Sequence, residues 1–198
     1  MLFFTIACLT AYFGYWILER IILYERTQAT MNNGNFAAQK PYPPTDAVSE
    51  NPRAARSLFA LRDGELEAIS EYIYQSIIFG EVYPKLATLL EGIAMTEMKH
   101  YRLLSETIQA LGSNPSVNSR VRTSLIDISS DTPSMAPYAA RRTLKANIAD
   151  ENAAAKSYRE AAAHTDDEAL SAILIRIAED EELHAVLLNG ALNSIKTG

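Results

Sequence analysis

Cysteine is almost missing from this chain of 198 residues, because Cys8 is the only one. A single cysteine excludes an internal disulfide framework and any zinc or rubredoxin-type site built from several thiolates of this chain. Any metal ligands are therefore expected to be oxygen and nitrogen donors.

Glycine and proline are also scarce, with eight of each, and no alternating apolar pattern persists along the chain. Alanine, leucine and glutamate, which favour helices, are frequent. The length suits one well-filled core and leaves little room for a second domain. The sequence therefore predicts a single all-α domain.

No basic face or arginine-rich run is present, and the net charge is −6. A nucleic-acid partner needs positive charge to neutralise phosphates, so this class of function is not expected. The acidic excess fits the handling of cations better.

The N-terminal segment is the one long apolar run. Residues 1–18 carry no charge, and aromatic residues lie just before Arg20, a pattern typical of a membrane interface. We read residues 1–27 as an apolar helix that anchors the protein to a membrane or, alternatively, packs on the bundle or on another subunit. No basic stretch precedes the run, which disfavours a removable signal peptide. The expected location is cytoplasmic, with the anchor placing the protein on the cytoplasmic face of the membrane.

Turn-forming residues dominate the next stretch, and we interpret residues 28–53 as a linker that keeps the N-terminal segment mechanically separate. Residues 54–198 are assigned to a four-helix bundle. Two short connections and one long polar crossover at 113–136 give two antiparallel hairpins. The predicted helices span residues 53–79, 84–111, 137–164 and 166–194.

Histidine occurs three times, and two of the three follow a glutamate by three residues. The pairs are Glu97 with His100 and Glu181 with His184. A spacing of three places both side chains of a pair on one helix face, close enough to hold a common ion. Each pair continues an apolar stripe, so the pairs are predicted to face the core.

Two further glutamates match these pairs. Glu65 and Glu151 lie on the apolar stripes of the first and third predicted helices. At a rise of about 1.5 Å per residue, all four glutamates lie roughly 20 Å from their connecting turns. Two divalent cations would neutralise four buried carboxylates, and two neutral imidazoles would complete the set. The predicted metal ligands are Glu65, Glu97, His100, Glu151, Glu181 and His184.

Other polar residues have simpler interpretations. Tyr72 and Tyr158 follow Glu65 and Glu151 by seven residues, and they either pack in the core or donate hydrogen bonds to ligating carboxylates. His164 is explained by a favourable contact with a helix C-terminus. We expect most of the remaining acids near the motifs to be solvated, and we retain Glu91 as a candidate for the access path or for a carboxylate that supports the ligands. These acids are Glu67, Glu71, Glu91, Asp150, Glu179 and Glu182.

These motifs resemble those of the ferritin-like superfamily over about residues 54–194. Glu97-Met98-Lys99-His100 and Asp180-Glu181-Glu182-Leu183-His184 are similar to the second and fourth helix motifs of bacterioferritins. Gly64-Glu65-Leu66, followed by Tyr72-Ile73-Tyr74-Gln75-Ser76, is similar to manganese catalases, which use two manganese ions to disproportionate peroxide. The resemblance implies a ferritin-like four-helix bundle with these six residues as metal ligands.

Glu181 departs from the manganese catalase pattern, which generally has a small residue there, and agrees with the di-iron rubrerythrins and bacterioferritins. The resemblance therefore implies two metal ions, iron rather than manganese, and an oxidoreductase that reacts with hydrogen peroxide or dioxygen. Without rubredoxin cysteines, the electrons are expected from an external donor, and a homo-oligomer is expected. The alternatives are a dimanganese catalase, an iron-storage protein and a structural coat protein.

Overall fold

The computed structural model describes residues 35–117 and 136–195. The predicted apolar helix at 1–27, the beginning of the predicted linker and most of the predicted crossover at 113–136 lie outside the described residues.

Four long α-helices form the described part of the chain, together with a short 3-10 helix at Thr45–Ala47 and no β-strand. This confirms the all-α prediction, and the predicted helices agree with the observed bounds to within two residues. The first helix packs mainly against the second and the third mainly against the fourth, as two hairpins should. The helices are α1 (Pro52–Phe79), α2 (Pro84–Ala110), α3 (Ala136–Ala163) and α4 (Glu168–Ser194).

The helix ends follow from the residues that flank them. The side chains of Asn51 and Asp167 accept hydrogen bonds from first-turn N–H groups of α1 and α4. Pro52 and Pro84 occupy first helical positions, where no N–H is needed. Gly112 follows α2 with a φ of 86°, a conformation that costs glycine little.

The apolar core consists of two clusters, one toward each end of the bundle. On α1, Glu65 lies between Leu58 of one cluster and Tyr72 of the other. The same order holds on α2, where the Glu97-to-His100 turn lies between Ile93 and Leu104. The predicted ligands therefore form a polar layer between two apolar ends, which fix its depth in the bundle.

Residues 36–49, which we call the strap, differ from the predicted linker. They lie across α2 and α4 and are hydrogen-bonded to both helices. The Phe36 ring fills the space above Gly92, where a Cβ atom would come within 2.2 Å of it. The turn-forming composition correctly indicates a segment without α-helix, but the strap is packed on the bundle and is not mechanically separate from it.

A buried arginine attaches the chain beyond α2 to α1. The Arg62 side chain is 1% exposed, pairs with Asp63 and donates a hydrogen bond of 2.7 Å to the carbonyl of Pro115. Its guanidinium also lies 5.0 Å from the centre of the Phe59 ring. The first residues of the crossover are therefore held along α1.

Within residues 35–117 and 136–195, no helix combines the length and apolar character needed to cross a bilayer. The membrane-anchor prediction rests on residues 1–18, which lie outside this part of the chain, and it stays a prediction.

Two helical glycines provide a matched test of the strap's packing. We expect Gly92→Ala to destabilise the metal-free protein by about 1–3 kcal/mol, because the new methyl group overlaps the Phe36 ring. Gly64→Ala meets nothing within 4 Å and should stabilise the protein by about 0.5–1 kcal/mol through helix propensity. Urea unfolding of the two variants measures both changes, and a stabilising Gly92→Ala would contradict the packing of Phe36.

Candidate metal centre

The six predicted ligands meet in the middle of the bundle. All are buried, with exposed fractions between 0% for the two histidines and 5% for Glu65. Each helix supplies the residues that its apolar stripe predicts: one glutamate from α1, one from α3, and a Glu-x-x-His pair from each of α2 and α4.

The side chains form two groups, each able to hold a metal ion. The first group is Glu65, Glu97, His100 and Glu181, and the second is Glu97, Glu151, Glu181 and His184. Within each group one ligand atom per residue lies within 4.8 Å of all the others. Glu97 and Glu181 belong to both groups, so these carboxylates could bridge two ions.

Both imidazoles direct the same nitrogen toward the carboxylates. His100 Nδ1 lies 2.8 Å from Glu97 and 3.1 Å from Glu181. His184 Nδ1 lies 2.9 Å from Glu97 and 3.5 Å from Glu151. The Nε2 atoms face outward, His100 toward Asp180 at 3.0 Å and His184 toward the Phe36 carbonyl at 2.8 Å. These acceptors place the proton on Nε2 and leave Nδ1 for a metal.

The two tyrosines cross the bundle to the opposite hairpin. The Tyr72 hydroxyl of α1 donates to Glu151 of α3, and the Tyr158 hydroxyl of α3 donates to Glu65 of α1. Each of these glutamates occurs in one group only. The tyrosines therefore orient the two non-shared carboxylates, which is the hydrogen-bonding interpretation of the sequence analysis.

Several polar atoms at the centre lack hydrogen bonds. Glu97 Oε1, Glu181 Oε1 and His184 Nδ1 are buried without a hydrogen-bond partner. Leaving such atoms unpaired is costly, and a cation among them would remove the cost. Carboxylate oxygen and imidazole nitrogen are suitable donors for Fe, Mn and other divalent metals. The residues present therefore fit a pair of divalent ions.

Without metal, protons balance the charge of this layer. Burial, followed by repulsion from neighbouring carboxylates, raises the pKa of Glu65 and of Glu151 well above the usual value. Burial opposes ionisation of Glu97 too, but His184 and His100 outweigh it and lower the pKa of Glu97. Glu181 has its pKa lowered in the same way, because the proximity of both imidazoles overcomes burial and repulsion.

For the two imidazoles, burial and the neighbouring carboxylates shift the pKa in opposite directions. Burial alone would lower the pKa of His100 and His184, yet contact with the surrounding carboxylates raises both well above the usual value. In the metal-free layer these shifts favour protons on Glu65, Glu151 and both histidines and favour the ionised forms of Glu97 and Glu181. Divalent ions would displace such protons and take over the compensation of charge.

A polar network on the α4 side was not predicted. Asp180 receives hydrogen bonds from His100, from the Ala38 N–H at 2.6 Å and from the Tyr42 hydroxyl at 2.6 Å, and it pairs with Arg176 at 2.6 Å. Burial opposes its ionisation, but the hydrogen bonds of His100 and Tyr42 lower the pKa of Asp180 to about 2. The available signal was the spacing of four between Arg176 and Asp180 beside the second motif, which permits an ion pair on one helix face.

A cleft of about 360 Å³ connects the centre to the surface between α1 and α3. Its deep end is lined by the four glutamates and both tyrosines. Small residues keep its walls apart: Ala60, Gly64 and Ala68 from α1, and Ala154 and Ser157 from α3. The cleft is large enough for a molecule of a few atoms.

The acids near the motifs were mostly predicted to be solvated, but three of them line the cleft. Glu67, Glu71 and Asp150 line this cleft, while Glu91 is exposed elsewhere and does not. The access-path hypothesis for Glu91 is therefore wrong, because the cleft opens beside α1 and α3 and not beside α2. Of the others, Glu179 pairs with Lys40 of the strap at 2.5 Å and Glu182 pairs with Arg159 at 2.7 Å. His164 is exposed at the end of α3, and its Nδ1 is hydrogen-bonded to the Glu160 carbonyl.

A family model of the ferritin-like domain matches residues 61–197, which is more than half of the chain. This protein belongs to the ferritin-like family. A comparison with curated proteins finds no match. The family match covers all six predicted ligands and confirms the expected superfamily. Because the ferritin-like fold includes enzymes and storage proteins, membership does not by itself select a reaction.

The proton balance predicts opposite pH dependences for the metal-free and metal-loaded protein. Above about pH 4.3, the folded metal-free state binds more protons than the unfolded state at Glu65 and Glu151, and above about pH 6.5 also at His100 and His184. The stability that these groups contribute is therefore lost as pH rises through their folded pKa values.

Metal ions need deprotonated ligands, so their stabilising effect grows over the same pH range. We expect the difference in melting temperature between metal-loaded and chelator-treated protein to increase from pH 5 to pH 8. Thermal unfolding in matched buffers measures it. A difference that is constant or shrinks with pH would show that these groups do not exchange protons for metal.

Proposed function

We propose that this protein holds two metal ions, iron in preference to manganese, and is an oxidoreductase that reacts with hydrogen peroxide or dioxygen. The observation that supports this best is the pair of overlapping groups that share Glu97 and Glu181. Because two carboxylates would serve both groups, the two ions would be held as neighbours, an arrangement suited to acting on one small substrate.

The ligand set favours ions that change oxidation state. Three carboxylates and one imidazole in each group form a hard, anionic environment, which stabilises higher charge on a bound ion. When bound, two ferrous ions supply one electron each, and these two electrons with two protons reduce hydrogen peroxide to two water molecules. The protein's own residues would bind the two ions and orient the ligating side chains.

The structure contains features suited to binding the ions and orienting their ligands. Tyr72 and Tyr158 hold Glu151 and Glu65 in position, and the outward Nε2 hydrogen bonds fix both imidazole rings. The apolar clusters above and below exclude bulk water. The cleft between α1 and α3 leads small molecules toward the shared carboxylates Glu97 and Glu181.

Electrons for repeated turnover come from a separate donor in this proposal. Cys8 is the only cysteine of the chain, so it has no thiolate set for an iron–sulfur or rubredoxin-type relay of its own. The external donor and the homo-oligomer expected from the sequence remain part of the proposal.

Glu181 supports iron over manganese. It contributes to both groups, at the position where the manganese catalase pattern generally has a small residue. The dimanganese catalase stays the second candidate, favoured by the similarity of the α1 segment around Glu65 and Tyr72. A catalase reaction needs no external reductant, and this separates the two candidates experimentally.

Reconstitution of the full-length chain tests the proposal. Metal-free protein is loaded anaerobically with Fe(II) or with Mn(II), bound metal is counted, and peroxide is added with and without a reductant. We expect two ions per chain, and sustained peroxide consumption by the iron form only with reductant. Vigorous oxygen evolution by the manganese form without reductant would select the catalase instead, and uptake of many iron ions per chain would indicate storage.

Two adjacent glutamates form a matched pair of variants. Glu181→Gln removes a shared carboxylate and should weaken metal binding by more than about 100-fold, since loss of outer hydrogen-bond partners alone costs about 10–100-fold. Glu182→Gln changes an exposed residue that pairs with Arg159 and should leave binding and turnover unchanged. Equal effects of the two substitutions in a metal-binding titration would count against the assigned site.

A further inference from the structure

The two hairpins carry the same motif, but the residue before the glutamate differs. Asp180 precedes Glu181 on α4, whereas Thr96 precedes Glu97 on α2. In the structure Asp180 receives the Nε2–H of His100 from the other hairpin. The repeat would place the side chain of residue 96 beside Nε2 of His184. Threonine supplies no carboxylate there.

The strap provides the missing acceptor. The Phe36 carbonyl oxygen lies 2.8 Å from His184 Nε2, and the Thr96 hydroxyl lies 3.3 Å from the same oxygen. The Phe36 ring holds this carbonyl in place by filling the space above Gly92. One imidazole is therefore supported by a carboxylate of the bundle and the other by a neutral backbone group of the strap.

The strap also reaches the His100 side. The Ala38 N–H and the Tyr42 hydroxyl each donate to Asp180 at 2.6 Å, one to each carboxylate oxygen. The Tyr42 ring lies edge-on to His100 with centroids 6.1 Å apart, and the Arg176 guanidinium lies 4.3 Å from the centre of the Tyr42 ring. The strap thus supplies the outer partner of His184 through Phe36 and two donors to the outer partner of His100 through Ala38 and Tyr42.

We propose that the strap is a positioning element of the metal centre and makes its two halves inequivalent, with the ion beside His100 bound more tightly than the ion beside His184. This inference rests on the proposed two-metal function. It extends that function, because it assigns a role to residues outside the four helices.

The physical reason is the charge of the outer acceptor. A carboxylate that accepts the N–H of a ligating imidazole raises the basicity of the ring and strengthens its bond to a metal, more than a neutral carbonyl does. The inner ligands of the two halves match, since each half has one non-shared glutamate held by a tyrosine of the opposite hairpin.

Stepwise cobalt binding tests this inference on the full-length chain. Co(II) accepts the same nitrogen and oxygen donors, and its paramagnetism shifts the Nε2–H proton of each bound histidine out of the normal NMR range. We expect one shifted exchangeable N–H signal to appear with the first equivalent, from His100, and a second with the next, from His184. The two dissociation constants should differ by about 10-fold or more.

Variants assign the signals and test the strap. Tyr42→Phe removes a donor to the Asp180 oxygen that also accepts from His100, and it should move only the first signal. Gly92→Ala displaces Phe36 and should move only the second signal and weaken the second step by about 10–100-fold. Thr96→Asp supplies a carboxylate to His184 and should bring the two dissociation constants together. Glu182→Gln is the control and should change neither.

The possible results distinguish the role of the strap from the proposed two-metal function. Two cobalt ions that bind with equal affinity, or a Gly92→Ala effect that is the same on both signals, would overturn the role of the strap while leaving a two-metal centre in place. Failure of the parent protein to bind any cobalt would overturn both. The positioning role would be supported if cobalt bound in two steps, if Tyr42→Phe affected only the His100 signal, and if Gly92→Ala affected only the His184 signal.

Discussion

Four carboxylates buried in one layer are the constraint on which the rest of this structure depends. Such a layer is stable only if positive charge balances it, whether as protons shared among Glu65, Glu151 and the two histidines or as two divalent ions. The bundle meets this constraint by dividing its apolar core into two clusters. These clusters supply the hydrophobic stabilisation and leave the middle layer to the polar side chains.

The two long sides of this layer have different tasks. Between α1 and α3 the small residues leave a cleft that ends at the carboxylates. Across α2 and α4 the strap binds the outer nitrogen of His184 directly and holds Asp180, which accepts from the outer nitrogen of His100. The cleft and the strap therefore lie on different sides of the layer, and the opening on one side does not interrupt the hydrogen bonds on the other.

Internal repetition explains much of the centre, and its one break is informative. The crossed tyrosine–glutamate bonds and the paired Glu-x-x-His motifs follow an approximate twofold relation between the hairpins. Asp180 and Thr96 depart from it, and the strap fills the resulting gap with a backbone carbonyl. The strap thus makes the surroundings of the two histidines different, although the six predicted ligands themselves follow the repeat.

The sequence by itself determined the helices, their order and the inward ligands, because helix periodicity and the distance from each turn are local quantities that can be read along the chain. It did not reveal the strap, the support of His100 by Asp180 or the position of the cleft. Those features depend on contacts between residues far apart in the sequence, such as Phe36 with His184, which are 148 positions apart, and His100 with Asp180, which are 80 positions apart. A composition rich in turn formers predicts the absence of a helix, but only the packed bundle decides which buried polar groups such a segment will satisfy.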